Sequence, residues 1–88
     1  MSNSNKKYEC PCCGYYTLEE EPPGTFEICP VCYWEDDNIQ YLDHEYEGGA
    51  NDISLNQARK KYKLIGAISK KYLKSVRSPS SEEKDTNS

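Results

Sequence analysis

The sequence predicts a small α+β fold: a zinc-ribbon-like β-hairpin with two cysteine knuckles, followed by one or two C-terminal helices. Three observations predict it. Two C-x-x-C pairs bracket a strand-rich stretch, an S-x-x-Q spacing opens a run of helical periodicity, and 88 residues leave room for one core only. That core is thin. Large aliphatic side chains are few, and eight tyrosines, Phe26 and Trp34 must supply much of the apolar area. Domains this small usually need a staple.

The staple is read from Cys10-Pro11-Cys12-Cys13-Gly14 and Cys29-Pro30-Val31-Cys32-Tyr33, which together spell C-x₂-C-x₁₅-C-x₂-C. This lies within the spacing of four-cysteine zinc sites. Two residues between cysteines let the backbone turn tightly enough for both sulfurs to reach one ion. Pro11 and Pro30 stiffen each turn, and Gly14 suits a left-handed exit. The expected ligands of one structural Zn²⁺ are therefore Cys10, Cys13, Cys29 and Cys32, although the same donors also suit iron. Buried unliganded cysteines or a thioredoxin-like pair are the competing readings, and no βαβ pattern surrounds either motif. Cys12 reads as an exposed passenger.

Between the pairs, Tyr15–Leu18 and Thr25–Ile28 favour strands, with Glu21-Pro22-Pro23-Gly24 as the turn. The expected hairpin carries one cysteine pair at each end. Residues 33–53 are acidic without a sustained period, and are expected to form an ordered loop with a short strand near 39–42. Ser54-Leu55-Asn56-Gln57 is a capping box. Behind it Leu55, Ala58, Tyr62 and Ile65 share one helical face. Gly66 is expected to end this helix, and Ser69 to cap a shorter one with Tyr72, Leu73 and Val76 inward; a single kinked helix over 54–76 is the alternative. The resulting organisation is a disordered tail at 1–7, a zinc-ribbon-like segment with an acidic loop at 8–53, a basic helical segment packed on it at 54–77, and a disordered tail at 78–88.

Charge is segregated. Twelve acidic residues and no Lys or Arg lie between Tyr8 and Ala58, while eight basic residues and no acid lie between Ser54 and Ser78. Part of the basic helix is therefore expected against the acidic half. The first seven residues lack the apolar stretch of a secretory signal, and nowhere do roughly 18 apolar residues run together. A cytoplasmic protein with reduced thiols, not a membrane protein, is the expectation.

The motifs resemble a known family. Cys10–Gly14, then Cys29–Cys32 leading into Trp34-Glu35-Asp36-Asp37, then Gly48-Gly49-Ala50-Asn51 before Ser54-Leu55 and Ala58-Arg59, are similar to the bacterial cysteine-rich family named for its CPCC motif. The likeness covers residues 8–79 and implies a small bacterial cytoplasmic protein. It implies no activity.

Three functions follow from these residues. The favoured one is a non-catalytic zinc module that binds a protein partner, a basic one included, through Trp34, Glu35, Asp36 and Asp37. The alternative is nucleic-acid binding by the basic segment 59–77, disfavoured by a sequence pI near 4.9. The third is an enzyme with a second site among Asp36, Asp37, Asp43, His44, Glu45 and Asp52. His44-Glu45-Tyr46-Glu47 lacks the second histidine of H-E-x-x-H, and the zinc-deaminase order is absent, so this reading ranks last.

Overall fold

The computed structural model describes residues 7–84. The tail readings for 1–6 and 85–88 lie outside the described residues. Element order is β1 (Tyr8–Glu9), β2 (Tyr16–Leu18), α1 (Asn38–Leu42), α2 (Leu55–Ile65), a 3₁₀ turn (Lys70–Tyr72) and α3 (Ser81–Lys84). None of these helices is long and apolar enough to cross a membrane.

A strand forms at 16–18 as the sequence predicts, but its partner differs. β2 pairs antiparallel with β1, Tyr8 opposite Leu18 and Glu9 opposite Tyr16. The expected second strand, 25–28, instead runs beside 34–36: Phe26 N–H donates to Asp36 O, Asp36 N–H to Glu27 O and Cys29 N–H to Trp34 O, all at 2.9 Å. The reason is local. Each cysteine turn is so short that its own flanks meet before distant segments do. The two flanking pairs are then tied together by the Glu27 carboxylate, which accepts from the backbone of Glu19 and Glu20 at 2.8 and 2.9 Å.

α1 replaces the strand expected at 39–42. Asp37 starts it as N-cap, its Oδ1 accepting from Ile39 N (2.7 Å) and Gln40 N (3.0 Å). The helix is unusual in what it buries. Gln40 is fully enclosed, whereas Ile39 and Leu42 are exposed. Gln40 Nε2 donates to the carbonyls of Tyr46 and Ile53 (3.0 and 2.9 Å), and its Oε1 accepts from both Asn51 N and Asn51 Nδ2. Asn51 in turn grips both backbone groups of Glu35, at 2.9 and 2.8 Å. Gly49 is required beneath this network, because a Cβ there would lie 2.8 Å from Asp37 Oδ2 and from Gln40.

α2 is as the capping box predicts. Ser54 accepts from Gln57 N, the Gln57 side chain accepts from Ser54 N, and Gly66 closes the helix at φ +89°. Leu55 and Ala58 are completely buried; Tyr62 and Ile65 are half-buried on the same face. Leu55→Ala is expected to cost about 2–5 kcal/mol, and denaturation of the metal-loaded protein measures it; an effect near zero would mean that α2 is not docked. Between Gly66 and Arg77, where a second helix is expected, the chain makes a single 3₁₀ turn at Lys70–Tyr72. Ser69 makes no side-chain cap, and Leu73, expected inside, is exposed. Tyr72 does face inward, stacking on Tyr33 with ring centroids 4.1 Å apart.

The segment expected to be a tail from residue 78 is ordered over its first part. Ser80 and Glu83 form an S-x-x-E capping box, with Ser80 N donating to Glu83 Oε1 at 2.9 Å and Glu83 N to Ser80 Oγ at 3.3 Å. Arg77 adds a bidentate pair to Glu83 at 2.8 and 2.7 Å. α3 packs against β2.

Candidate metal centre

The two cysteine turns are built alike. In the first, Cys10 N–H donates to Tyr15 O and Gly14 N–H to Cys10 O, both at 2.9 Å. In the second, Cys29 N–H donates to Trp34 O (2.9 Å) and Tyr33 N–H to Cys29 O (2.8 Å). The residue after each second cysteine takes a left-handed φ: +82° at Gly14 and +75° at Tyr33. Such a φ costs a tyrosine about 1–2 kcal/mol, and the stacking on Tyr72 helps hold it.

These turns bring Cys10, Cys13, Cys29 and Cys32 together, their sulfurs all within 4.8 Å of one another. Cys10 and Cys32 sulfurs are 3.6 Å apart, and those of Cys13 and Cys29 are 3.7 Å apart. All are free thiols. Sulfurs about 2.3 Å from a tetrahedral ion would sit about 3.8 Å from one another. The donor set and its spacing fit a metal ion. Cys10, Cys29 and Cys32 are buried and Cys13 is partly so, in one cluster with Leu18, Val31, Trp34, Leu55, Ala58 and Ile68. Thr17 Oγ1 lies 3.0 Å from Cys29 Sγ, and Val31 N–H reaches the same sulfur at 3.4 Å. Thr17 occupies the slip in the β1–β2 register, which turns it inward; nothing in the spacing of the cysteines announces it.

The sulfurs differ in acidity. Hydrogen bonds from Cys10, Cys13 and Cys32 hold the Cys29 thiol far below its ordinary range. Cys10 is pushed up, first by Cys13 and then by Cys29. Cys32 is pushed up, first by Cys10 and then by Cys12. Cys13 also rises: Cys10 lowers it, and Cys29, Cys32 and burial together outweigh that.

Cys12 is not the exposed passenger expected. It is buried, and packs in the same cluster without joining the four-sulfur group. Cys12→Ser is expected to keep full metal content and to cost about 1–3 kcal/mol for a hydroxyl buried there without a partner. Loss of the ion on elemental analysis would instead make Cys12 a ligand.

The residues expected to form a partner surface are mostly buried. Trp34 and Asp36 are each 1% exposed, Asp37 6%, and Glu35 is half-buried. They face inward because they serve the architecture. Asp36 Oδ2 accepts from Thr25 N and Oγ1 at 3.0 and 2.8 Å, and Asp37 caps α1 while accepting from Ala50 N at 2.9 Å. Burial raises the Asp37 carboxyl, but the N–H groups of Gln40, Ala50 and Ile39 outweigh it and hold the group below its usual range. Trp34 Nε1 and Asp36 Oδ1 are buried without a partner.

The acidic residues considered for a second site are also dispersed. Asp43 accepts from Glu45 N, Glu45 from Asn56 Nδ2, and Asp52 pairs with Lys71, while the His44 ring lies edge-on to Tyr41. Among the described residues, the four cysteines form the one group of His, Cys, Asp or Glu side chains that could hold a metal.

A search of curated proteins finds no match to the chain. A family model described as "Cysteine-rich CPCC" matches residues 8–83, a span that takes in both turns, α1, α2 and the Ser80–Glu83 cap. With both cysteine turns and most of its length inside that match, the chain belongs to the cysteine-rich CPCC family.

Proposed function

We propose that the chain is a non-catalytic module built on one structural zinc ion, held by Cys10, Cys13, Cys29 and Cys32, which offers its surface to a protein partner. The observation that carries the metal reading is the convergence of four sulfurs, three of them buried, from two separate turns. Bound there, zinc would cross-link the turns; four protein thiolates fill a tetrahedral ion and leave no position for an activated water. Elemental analysis of protein purified in reducing buffer should find one zinc per chain. Cobalt substitution should give the spectrum of a closed four-sulfur site, and a five-coordinate or water-sensitive spectrum would overturn the structural role.

Cys10, Cys13 and Cys32 hold their protons tightly, so loading the site displaces protons. Affinity is therefore expected to fall as pH falls. Competition against a chromophoric chelator on either side of neutrality measures this, and a pH-independent affinity would contradict the thiol assignment.

The partner reading now rests on side chains other than Trp34, Asp36 and Asp37. α1 presents Ile39, Tyr41 and Leu42 to solvent, followed by exposed Asp43, Glu45 and Glu47. Such a surface suits a partner that is basic and partly apolar. A second reading, nucleic-acid binding, is favoured by one observation: Lys60, Lys61, Lys63, Lys70 and Lys74 are exposed and make no ion pair among the described residues. Retention on a nucleic-acid column that falls steeply with salt would support it over the first.

A further inference from the structure

We infer that the partner is a second copy of this chain, associating head to tail: the α1 face around Leu42 of one copy against the outer face of α2 around Leu64 of the next. The inference rests on the protein-partner reading above and names the partner.

Single exposed leucines are ordinary on protein surfaces. Two features set these apart. Leu42 and Leu64 are the most exposed large hydrophobic side chains among the described residues, at 79% and 78%. Each also stands in a field of one sign, and the signs are opposite.

On α1, Ile39 and Leu42 are three residues apart and share a face. Asp43 follows directly, then Glu45 and Glu47, all exposed. Their hydrogen bonds go to neutral groups, the Glu45 backbone, Asn56 and Gln57, so their charge stands. On that side Arg59 lines the cleft beside Tyr41, its Nε donating to Pro11 O at 2.9 Å. On α2, Lys60 and Leu64 are four apart and share the face opposite Leu55 and Ala58, with Lys61 and Lys63 flanking them. All three lysines are exposed.

The fold does not neutralise these faces internally. Among the described residues, the only ion pair joining the basic segment 59–77 to the acidic half is Lys71–Asp52 at 3.2 Å, and both side chains are mostly exposed. The acidic–apolar face and the basic–apolar face thus complement one another, and one chain carries both. Two different patches meeting give a heterologous contact, which propagates into chains or closes into rings. With little apolar area and charge at its rim, the contact should be weak and salt-sensitive.

Sedimentation of the zinc-loaded protein at low ionic strength should show a mass that rises with concentration past the dimer and returns to monomer in high salt. Leu42→Lys and Leu64→Glu should each be monomeric with full zinc content, which shows that each is folded. Mixed one to one, they retain one intact pair of faces and should form a complex of twice the monomer mass that grows no further. A wild-type protein that stays monomeric at every concentration would overturn the inference. So would variants that still associate, or a mixture that does not pair. If the monomeric wild type captures a basic protein, the partner reading survives and self-association falls. If it binds a DNA duplex and Leu64→Glu or Lys63→Glu weakens that binding, the α2 face belongs to nucleic acid instead.

Discussion

Replacing Cys29 with serine is expected to leave the purified chain without stoichiometric metal and without a cooperative unfolding transition. Cys29 is the central sulfur of the group: Cys13, Thr17 and the Val31 amide all approach it, and hydrogen bonds from its cysteine neighbours hold its thiol below the ordinary range. A serine hydroxyl is a poor replacement for a thiolate on a soft-tolerant ion. Structural zinc contributes about 10–16 kcal/mol in comparable peptides. The rest of this protein offers far less. The sheet is two short strands, which are marginal alone, and much of the buried cluster is the cysteines themselves. Circular dichroism against urea, with metal analysis of the same sample, tests the expectation; a folded, metal-free Cys29→Ser would refute it. A chelator acting on the wild type should give the same unfolding.

The second large effect is expected at Gln40. Gln40→Leu keeps roughly the side-chain volume but strands the carbonyls of Tyr46 and Ile53 and the amide of Asn51. A buried polar group left unpaired costs about 1–3 kcal/mol, so a total of more than about 3 kcal/mol is anticipated. The effect should be confined. None of Gln40's hydrogen bonds among the described residues is to a sulfur, so zinc content should remain complete while hydrogen exchange speeds up at Ala50 and Asn51. Zinc loss from this variant, or unchanged exchange, would show that the loop is held by something else.

These two sites also mark where the sequence was readable and where it was not. The four-sulfur group was legible because metal ligation fixes residue type and spacing together. α2 was legible because its cap and its apolar face agree. α1 was not, since the periodicity that reveals helices tracks apolar burial, and this helix turns Ile39 and Leu42 outward and buries a glutamine. Asp36 and Asp37 lie inside for a related reason: charge suggests solvent, yet backbone N–H groups and Thr25 bind them there, with Asp36 Oδ1 left without a partner. The pairing of 25–28 with 34–36 was missed because strand propensity identifies strands and not their partners. For α3 a signal was present in Ser80–Glu83, the same cap spacing that identified α2.

The stretch from Arg77 to Lys84 has a bearing on how long a bound ion would stay. Arg77 N–H donates to Pro30 O at 3.1 Å, in the second cysteine turn, while α3 lies on β2, which leads out of the first. One short strap thus spans both jaws of the clamp. Opening the jaws requires the strap to lift, so its detachment would pace the ion's departure even though it supplies none of the sulfurs.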